Sequence, residues 1–165
     1  MAYDYNADEV FEMAIRIEEN GAAFYRRAAE LQDDPSDKKF LETLAAMEDR
    51  HKVNFEALRQ EISEFEKTET VFDPQEELSL YLEAMADSHG GEGDPDVAGR
   101  LTRDDSIEDI VKLAIMLEKE SILFYLGLKD LVPPKLGQDK IDDIIREEQK
   151  HIIQLNGFLK KAQKS

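Results

Sequence analysis

The feature that most constrains this chain is a short motif, Glu48-x-x-His51, that returns a hundred residues later as Glu148-x-x-His151. Residues three apart on an α-helix lie on one face, about one turn from each other, so each motif directs a carboxylate and an imidazole toward the same point. Such a pair can bind one metal ion. The repeat therefore predicts two matched halves of one metal centre, carried on two different helices.

A further glutamate precedes each motif by thirty residues, Glu18 before Glu48 and Glu118 before Glu148. Both of these glutamates end an Ala-Ile-x-x-Glu sequence and are followed by a Phe-Tyr pair. One glutamate from each of two helices and a Glu-x-x-His from each of two others form the ligand set of the carboxylate-bridged di-metal helical bundles. The candidate metal ligands are Glu18, Glu48, His51, Glu118, Glu148 and His151.

These motifs resemble those of the rubrerythrin-like branch of the ferritin-like superfamily. The resemblance covers about residues 8–32, 36–66, 106–131 and 138–163. A lone Glu-x-x-His is common on any helix and would be an ordinary exposed pair, but two of them, each preceded at equal distance by the same pattern, are hard to reach by chance. The resemblance implies an all-α, ferritin-like four-helix bundle made of two helix hairpins joined by a long crossover.

Apolar residues recur at the helical period along these stretches. The length of the chain predicts a single domain, residues 1–165. Glu18 and Glu48 lie on apolar faces, where a carboxylate is costly unless it is paired or coordinated. Both lie about 20–24 Å from the turn at Pro35, at about 1.5 Å per residue, and the second half repeats the count around Pro133-Pro134. The four glutamates should therefore meet in one layer. The predicted helices are about 7–32, 36–66, 106–131 and 138–163.

The connection between the halves, residues 67–105, is too long for a simple turn. Residues 73–76, Asp-Pro-Gln-Glu, form a capping box with proline at the first helical position and predict a short helix there. Glycines and a proline in residues 89–95 should end it. A long crossover lets the third helix start at the same end as the second. His89 is a weaker ligand candidate, because its loop lies away from the carboxylate layer.

The composition excludes several classes of function. The chain has no cysteine, which rules out disulfides, thiol catalysis, cysteine-bound zinc and iron–sulfur clusters. Its formal net charge of −17 argues against binding nucleic acid, although solubility explains most of the acidic residues. No apolar run is long enough for a membrane span, and the acidic start lacks the apolar segment of a secretory signal. We therefore expect a cytoplasmic protein.

The ligand chemistry favours hard or borderline divalent metals. Four glutamates neutralise the charge of two divalent ions, so the site can be buried. Oxygen and nitrogen donors without thiolate fit Fe or Mn better than Cu(I), although affinity alone favours Zn or Cu. The resemblance implies two iron ions, with Mn or Zn as candidate substitutes. It also implies that Glu48 and Glu148 are the bridging carboxylates and that Glu18 and Glu118 are terminal.

Tyr25 and Tyr125 are the candidate functional residues outside the ligand set. They lie seven residues after Glu18 and Glu118, two helical turns on, so a phenol can stand above each carboxylate. The functional interpretation is a hydrogen bond to the metal ligand. The alternative is simple core packing, with the hydroxyl group satisfied elsewhere.

Ser121 marks a departure from rubrerythrins, which carry an additional glutamate three residues after the ligand on the third helix. Glu120 cannot replace that glutamate, because it lies about 200° round the helix from Glu118. The ligand exchange associated with the extra carboxylate is therefore not expected. We expect a symmetric site with six ligands.

Three functions fit these observations. The first is a di-iron oxidoreductase that reduces H2O2 or O2 with electrons from an external donor protein, because a cysteine-free chain lacks the rubredoxin module of rubrerythrins. The second is a non-catalytic iron-binding, storage or ferroxidase protein that uses the same site for entry. The third is a helical interaction domain whose site only stabilises the fold. By resemblance a homodimer is a candidate assembly, and no nucleic-acid or membrane partner is expected.

Overall fold

Four long helices and no strand are present in the part of the chain that the structure, a computed structural model, describes. That part comprises residues 7–65, 96–132 and 134–164, with the single positions 77, 80, 81 and 84. The predicted all-α four-helix bundle is confirmed, and each helix begins and ends within two residues of its predicted position. The helices are α1 (Ala7–Glu30), α2 (Pro35–Phe65), α3 (Ile107–Leu131) and α4 (Gln138–Ala162).

Two helix hairpins make up the bundle. α1 packs along α2, α3 packs along α4, and α1 also contacts α3 between the hairpins. The first hairpin turns at Asp34, whose carboxylate accepts hydrogen bonds from the backbone N–H groups of Ser36 and Asp37 at 2.8 and 3.0 Å. Proline is tolerated at position 35, the first residue of α2, because a backbone N–H group at that position would have no acceptor within the helix. This cap fixes where α2 begins.

The second hairpin has its own start signals. The hydroxyl of Ser106 accepts a hydrogen bond from the backbone N–H of Asp109 at 3.1 Å and so caps α3. Gly137 precedes α4 with a φ of 128°, a conformation that favours glycine. A Cβ atom at Gly137 would lie 2.5 Å from a methyl carbon of Leu58, so the turn of one hairpin packs closely on α2 of the other.

The core consists of two apolar clusters with a polar layer between them. Along α1 the chain passes from the cluster that contains Phe55 through Glu18 into the cluster that contains Leu41. Along α3 it passes in the reverse order, from the Leu41 cluster through Glu118 into the Phe55 cluster. α1 and α3 are therefore antiparallel, and α2 and α3 start at the same end, as predicted. The Phe55 cluster includes Val10, Phe11, Phe55, Leu58, Tyr125 and Leu128. The Leu41 cluster includes Phe24, Tyr25, Leu41, Leu44, Leu117 and Leu155.

Most of the crossover lies outside the described residues, as do His89 and much of the predicted short helix. Positions 77, 80, 81 and 84 fall within that predicted helix and are helical. The hydroxyl of Tyr81 donates a hydrogen bond to the carbonyl of Leu123 at 2.7 Å. Across the described ranges, no helix is both long enough and apolar enough to span a bilayer. The assignment of one domain to residues 1–165 stays a prediction.

Candidate metal centre

All six predicted ligands lie together in the polar layer. Each comes from the middle of its helix, where the apolar stripe is interrupted by a charged or polar side chain. No more than 1% of any of the six residues is exposed to solvent. Carboxylates are almost never so deeply buried without a partner, so this layer is the most unusual chemical feature of the described chain.

The six residues form two overlapping groups. Ligand atoms of Glu18, Glu48, His51 and Glu148 all lie within 4.8 Å of one another. Those of Glu48, Glu118, Glu148 and His151 meet the same condition. Glu48 and Glu148 belong to both groups, which is what two neighbouring ions joined by shared carboxylates would require.

Each histidine directs its Nδ1 atom into this layer. Nδ1 of His51 lies 2.8 Å from Oε1 of Glu148 and 3.5 Å from the nearest oxygens of Glu18 and Glu48. Nδ1 of His151 lies 2.9 Å from Glu148, 3.1 Å from Glu48 and 3.3 Å from Glu118. The two imidazole rings are stacked, with centroids 5.5 Å apart. Each nitrogen therefore faces three carboxylates.

These close approaches lack the geometry of hydrogen bonds. Within the described part of the chain, many of the converging atoms are buried and make no hydrogen bond. A buried polar atom without a partner costs about 1–3 kcal/mol, and native proteins leave few of them. Divalent ions would satisfy all of these atoms at once, so the residues present fit a pair of metals. The unsatisfied ligand atoms are Nδ1 of both histidines, Oε2 of Glu18 and Glu118, Oε1 of Glu48 and both oxygens of Glu148.

The electrostatics of the metal-free layer show which groups retain protons. Burial, followed by repulsion from Glu148 and Glu48, raises the pKa values of Glu18 and Glu118 well above their ordinary range. Burial also acts against the charge on Glu148, but contacts with His151 and His51 outweigh it and lower the pKa of Glu148 to about 2. When no metal is bound, protons neutralise Glu18 and Glu118, and the imidazolium ions of the two histidines balance the charge of the remaining carboxylates.

The pKa of His151 is shifted in the opposite direction to that of Glu148. Burial disfavours its charged form, but contacts with Glu118, Glu148 and Glu48 outweigh that cost and raise the pKa of His151 to about 12. Burial also disfavours the charged form of His51, but contacts with Glu148, Glu18 and Glu48 outweigh that cost and raise the pKa of His51. A metal ion must displace these protons before Nδ1 can act as a ligand, because only the neutral imidazole has a free lone pair there.

Both predicted tyrosines donate hydrogen bonds to candidate ligand glutamates, but the pairing differs from the one expected. Tyr25 donates to Oε1 of Glu118, and Tyr125 donates to Oε1 of Glu18. The prediction that each phenol stands above the glutamate of its own helix was therefore wrong. Seven residues separate those positions by about 10 Å along the axis, whereas antiparallel packing of α1 and α3 brings the opposite glutamate within reach.

Comparison with proteins of known structure identifies the fold. No family model matches the chain, and no curated protein does. A crystal structure of a protein from Thermotoga maritima, described as a ferritin-like diiron-carboxylate protein, is similar to this chain with a TM-score of 0.68. The similarity covers 98% of this chain and 99% of that one, at 22% sequence identity. This chain has the ferritin-like fold.

The ferritin-like part of the predicted fold class is thereby confirmed. At such low sequence identity the similarity establishes the fold alone, and it does not distinguish the rubrerythrin-like branch from others. Within this ferritin-like bundle Ser121 is buried, and its hydroxyl donates a hydrogen bond to the carbonyl of Leu117 at 3.1 Å. Neither Ser121 nor Glu120 belongs to either group of candidate ligands.

Glu147 is a site residue of the ferritin-like bundle that the sequence did not reveal. Its Oε2 atom lies 2.7 Å from Nε2 of His51, on the side of the ring that faces away from the polar layer. Glu147 stands next to Glu148 in the sequence but points about 100° away from it round the helix. One more glutamate on an acidic helix carries no signal, so only the packing of α4 against α2 could identify this contact.

Proposed function

We propose that this chain is a carboxylate-bridged di-iron oxidoreductase of the rubrerythrin-like kind that reduces H2O2, or O2, with electrons from an external donor protein. The observation that carries the proposal is the pair of overlapping ligand groups that share Glu48 and Glu148. The motif resemblance supports it. So does the structural neighbour described as a diiron-carboxylate protein.

The residues divide into distinct roles under this proposal. Glu48 and Glu148 would be shared by the two ions, because each is a member of both groups. Glu18 and Glu118 would each serve one ion, and each histidine would supply one nitrogen. The four carboxylates balance the four positive charges of two ferrous ions, which allows the pair to lie in an apolar interior.

The bound iron pair would supply two electrons, one from each ion, to the oxidant. Reduction of one H2O2 consumes these two electrons and two protons and yields two water molecules. Because the described polar layer lies between the Phe55 and Leu41 clusters, bulk water is kept from the reacting atoms. Tyr25 and Tyr125 hold Oε1 of the opposite glutamate and leave its Oε2 for the metal.

The electron source, the native metal, the cellular compartment and the assembly complete the proposal. The electrons come from outside, since no cysteine in the chain can hold a rubredoxin-type iron centre. Iron is the native metal, with Mn or Zn as substitutes, and the protein acts in the cytoplasm. A homodimer is the candidate assembly. Stopped-flow oxidation of the Fe(II)-loaded chain, with iron counted before and after the reaction, tests the central claim.

We expect H2O2 to oxidise the iron pair faster than O2 at equal concentration, with two ions retained and repeated turnover only when a reductant is added. The iron pair holds the two electrons that peroxide needs but fewer than the full reduction of O2 needs. Accumulation of many ions per chain would instead indicate storage, and faster oxidation by O2 would indicate a ferroxidase. An inert iron pair would leave only a structural role.

A pair of variants tests the ligand assignment. Glu118→Gln should abolish the oxidation of iron. Glu120→Gln removes a nearby carboxylate that belongs to neither ligand group, and it should leave the reaction unchanged.

A further inference from the structure

The two histidines of the metal centre differ on the side that faces away from the ligands. Nε2 of His51 has the carboxylate of Glu147 at 2.7 Å. Nε2 of His151 is buried and has no hydrogen-bond partner within the described ranges. The repeat explains the difference, because the residue a hundred positions before Glu147 is Met47, whose side chain carries no charge. The ligand set is symmetric, but its supporting contacts are not.

This asymmetry affects how well each imidazole can bind a metal. Both rings direct Nδ1 into the polar layer, so a bound ion must use Nδ1 and the ring proton must reside on Nε2. For His51 that proton is donated to a carboxylate, which fixes the tautomer and the ring orientation and makes the nitrogen a stronger ligand. For His151 the same proton would be buried without an acceptor, which disfavours the binding form.

We propose that the two metal positions are unequal and that Glu147 is the positioning residue that makes the His51 position the tighter one. The inference deepens the proposed function, since it concerns the same centre. The tighter position comprises Glu18, Glu48, His51 and Glu148, and the weaker one comprises Glu48, Glu118, Glu148 and His151. One ion is therefore held as a fixed partner while the second is gained and lost more readily.

The location of Glu147 makes the idea testable without disturbing the core. Its side chain is 38% exposed, whereas that of His51 is fully buried. Glu147→Met reproduces the residue found at the equivalent place in the first half. Glu147→Gln keeps an oxygen that can accept the ring proton. Asp143→Asn removes one negative charge from an exposed position one turn earlier on α4 and serves as the matched control.

The experiment is a Zn²⁺ titration of the full chain, with the histidine ring nitrogens followed by ¹⁵N magnetic resonance. In the wild type we expect the first equivalent to shift the signals of His51 and the second those of His151, with affinities that differ by about 10–100-fold. Glu147→Met should weaken zinc binding at the His51 position by a similar factor, so that the His51 and His151 positions fill together. Glu147→Gln should give an intermediate result, and Asp143→Asn should behave like the wild type.

Several outcomes would overturn the inference. Equal filling of both positions in the wild type, or filling of the His151 position first, would show that the positions are not ordered by Glu147. An unchanged order in Glu147→Met would assign the order to some other cause. Two equal sites would leave the proposed function intact, whereas no zinc binding by the six ligands in the wild type would remove the proposed function and this inference together.

Discussion

The hydroxyl of Tyr25 on α1 donates a hydrogen bond to Oε1 of Glu118 on α3, across the interior of the bundle. Tyr125 on α3 makes the reciprocal contact with Glu18 on α1. Tyr25 belongs to the Leu41 cluster and Tyr125 to the Phe55 cluster, so one phenol closes each end of the polar layer. These two contacts tie the hairpins together at the level of the candidate metals.

The first prediction follows from this crossed pairing. Tyr25→Phe should loosen Glu118 and therefore weaken metal binding next to His151, while Tyr125→Phe should weaken it next to His51. We expect a loss of about 10–100-fold in metal affinity in each case, because the contact orients a ligand. Competition with a chromophoric chelator measures the loss. Tyr81→Phe removes a phenol that bonds to the carbonyl of Leu123, and it should leave the affinity unchanged.

The second prediction tests which carboxylates are shared. Glu48 belongs to both ligand groups and Glu18 to one, so Glu48→Ala should lose both metals more readily than Glu18→Ala. The number of ions retained per chain after dialysis against a weak chelator is the measurement. Equal losses in the two variants would contradict the bridging assignment.

Much of the bundle could be predicted because its signals are local or repeated. The helical period locates each helix, and the Glu-x-x-His repeat identifies four of the six candidate ligands. Counting residues from the Pro35 turn places Glu18 and Glu48 at one level, because the rise of a helix is constant. All six predicted ligands do meet in the structure. These inferences need no knowledge of how the helices are rotated against one another.

The features that could not be predicted depend on that rotation. Tyr25 contacts Glu118 instead of the glutamate of its own helix, and His51 contacts Glu147 from the other hairpin. Residues on different helices share no periodic signal, so sequence spacing cannot pair them. The close approach of Gly137 to Leu58 is likewise visible only once the two hairpins are packed together.

The third prediction concerns metal and folding. Ions that bind the folded chain and not the unfolded chain add their binding free energy to its stability, by about 4 kcal/mol at a thousandfold excess over Kd. Removing the metals should therefore lower the melting temperature, which calorimetry in the presence and absence of chelator can measure. His151→Gln should show a smaller metal-dependent rise. A melting temperature that does not respond to metal would argue against a pre-formed centre.

The last prediction is the pH dependence of the metal-free protein, which has two limbs. The folded pKa of Glu148 is lowered from 4.5 to about 2, so its contribution to stability is present above pH 4.5 and is lost as the pH falls toward 2. The folded pKa of His151 is raised from 6.5 to about 12, so its contribution is complete below pH 6.5 and is lost as the pH rises toward 12. The folded pKa values of Glu18 and Glu118 are raised well above 4.5, so their contribution is complete below pH 4.5 and is lost as the pH rises above it.

The free energy of unfolding of the metal-free chain should therefore be greatest near pH 4.5. It should decline as the pH rises, first because Glu18 and Glu118 lose their contribution and above pH 6.5 also because His151 does. Urea unfolding as a function of pH, with chelator present, measures this free energy. In the metal-loaded chain the ions replace the protons, so the alkaline decline should be smaller and metal uptake near neutral pH should release protons to the buffer. Calorimetric titration in buffers of different ionisation enthalpy counts those protons. Metal-free stability that rises between pH 6.5 and 9 would mean that the histidines are neutral in the fold, and the arrangement of charge in the polar layer would then have to be reassigned.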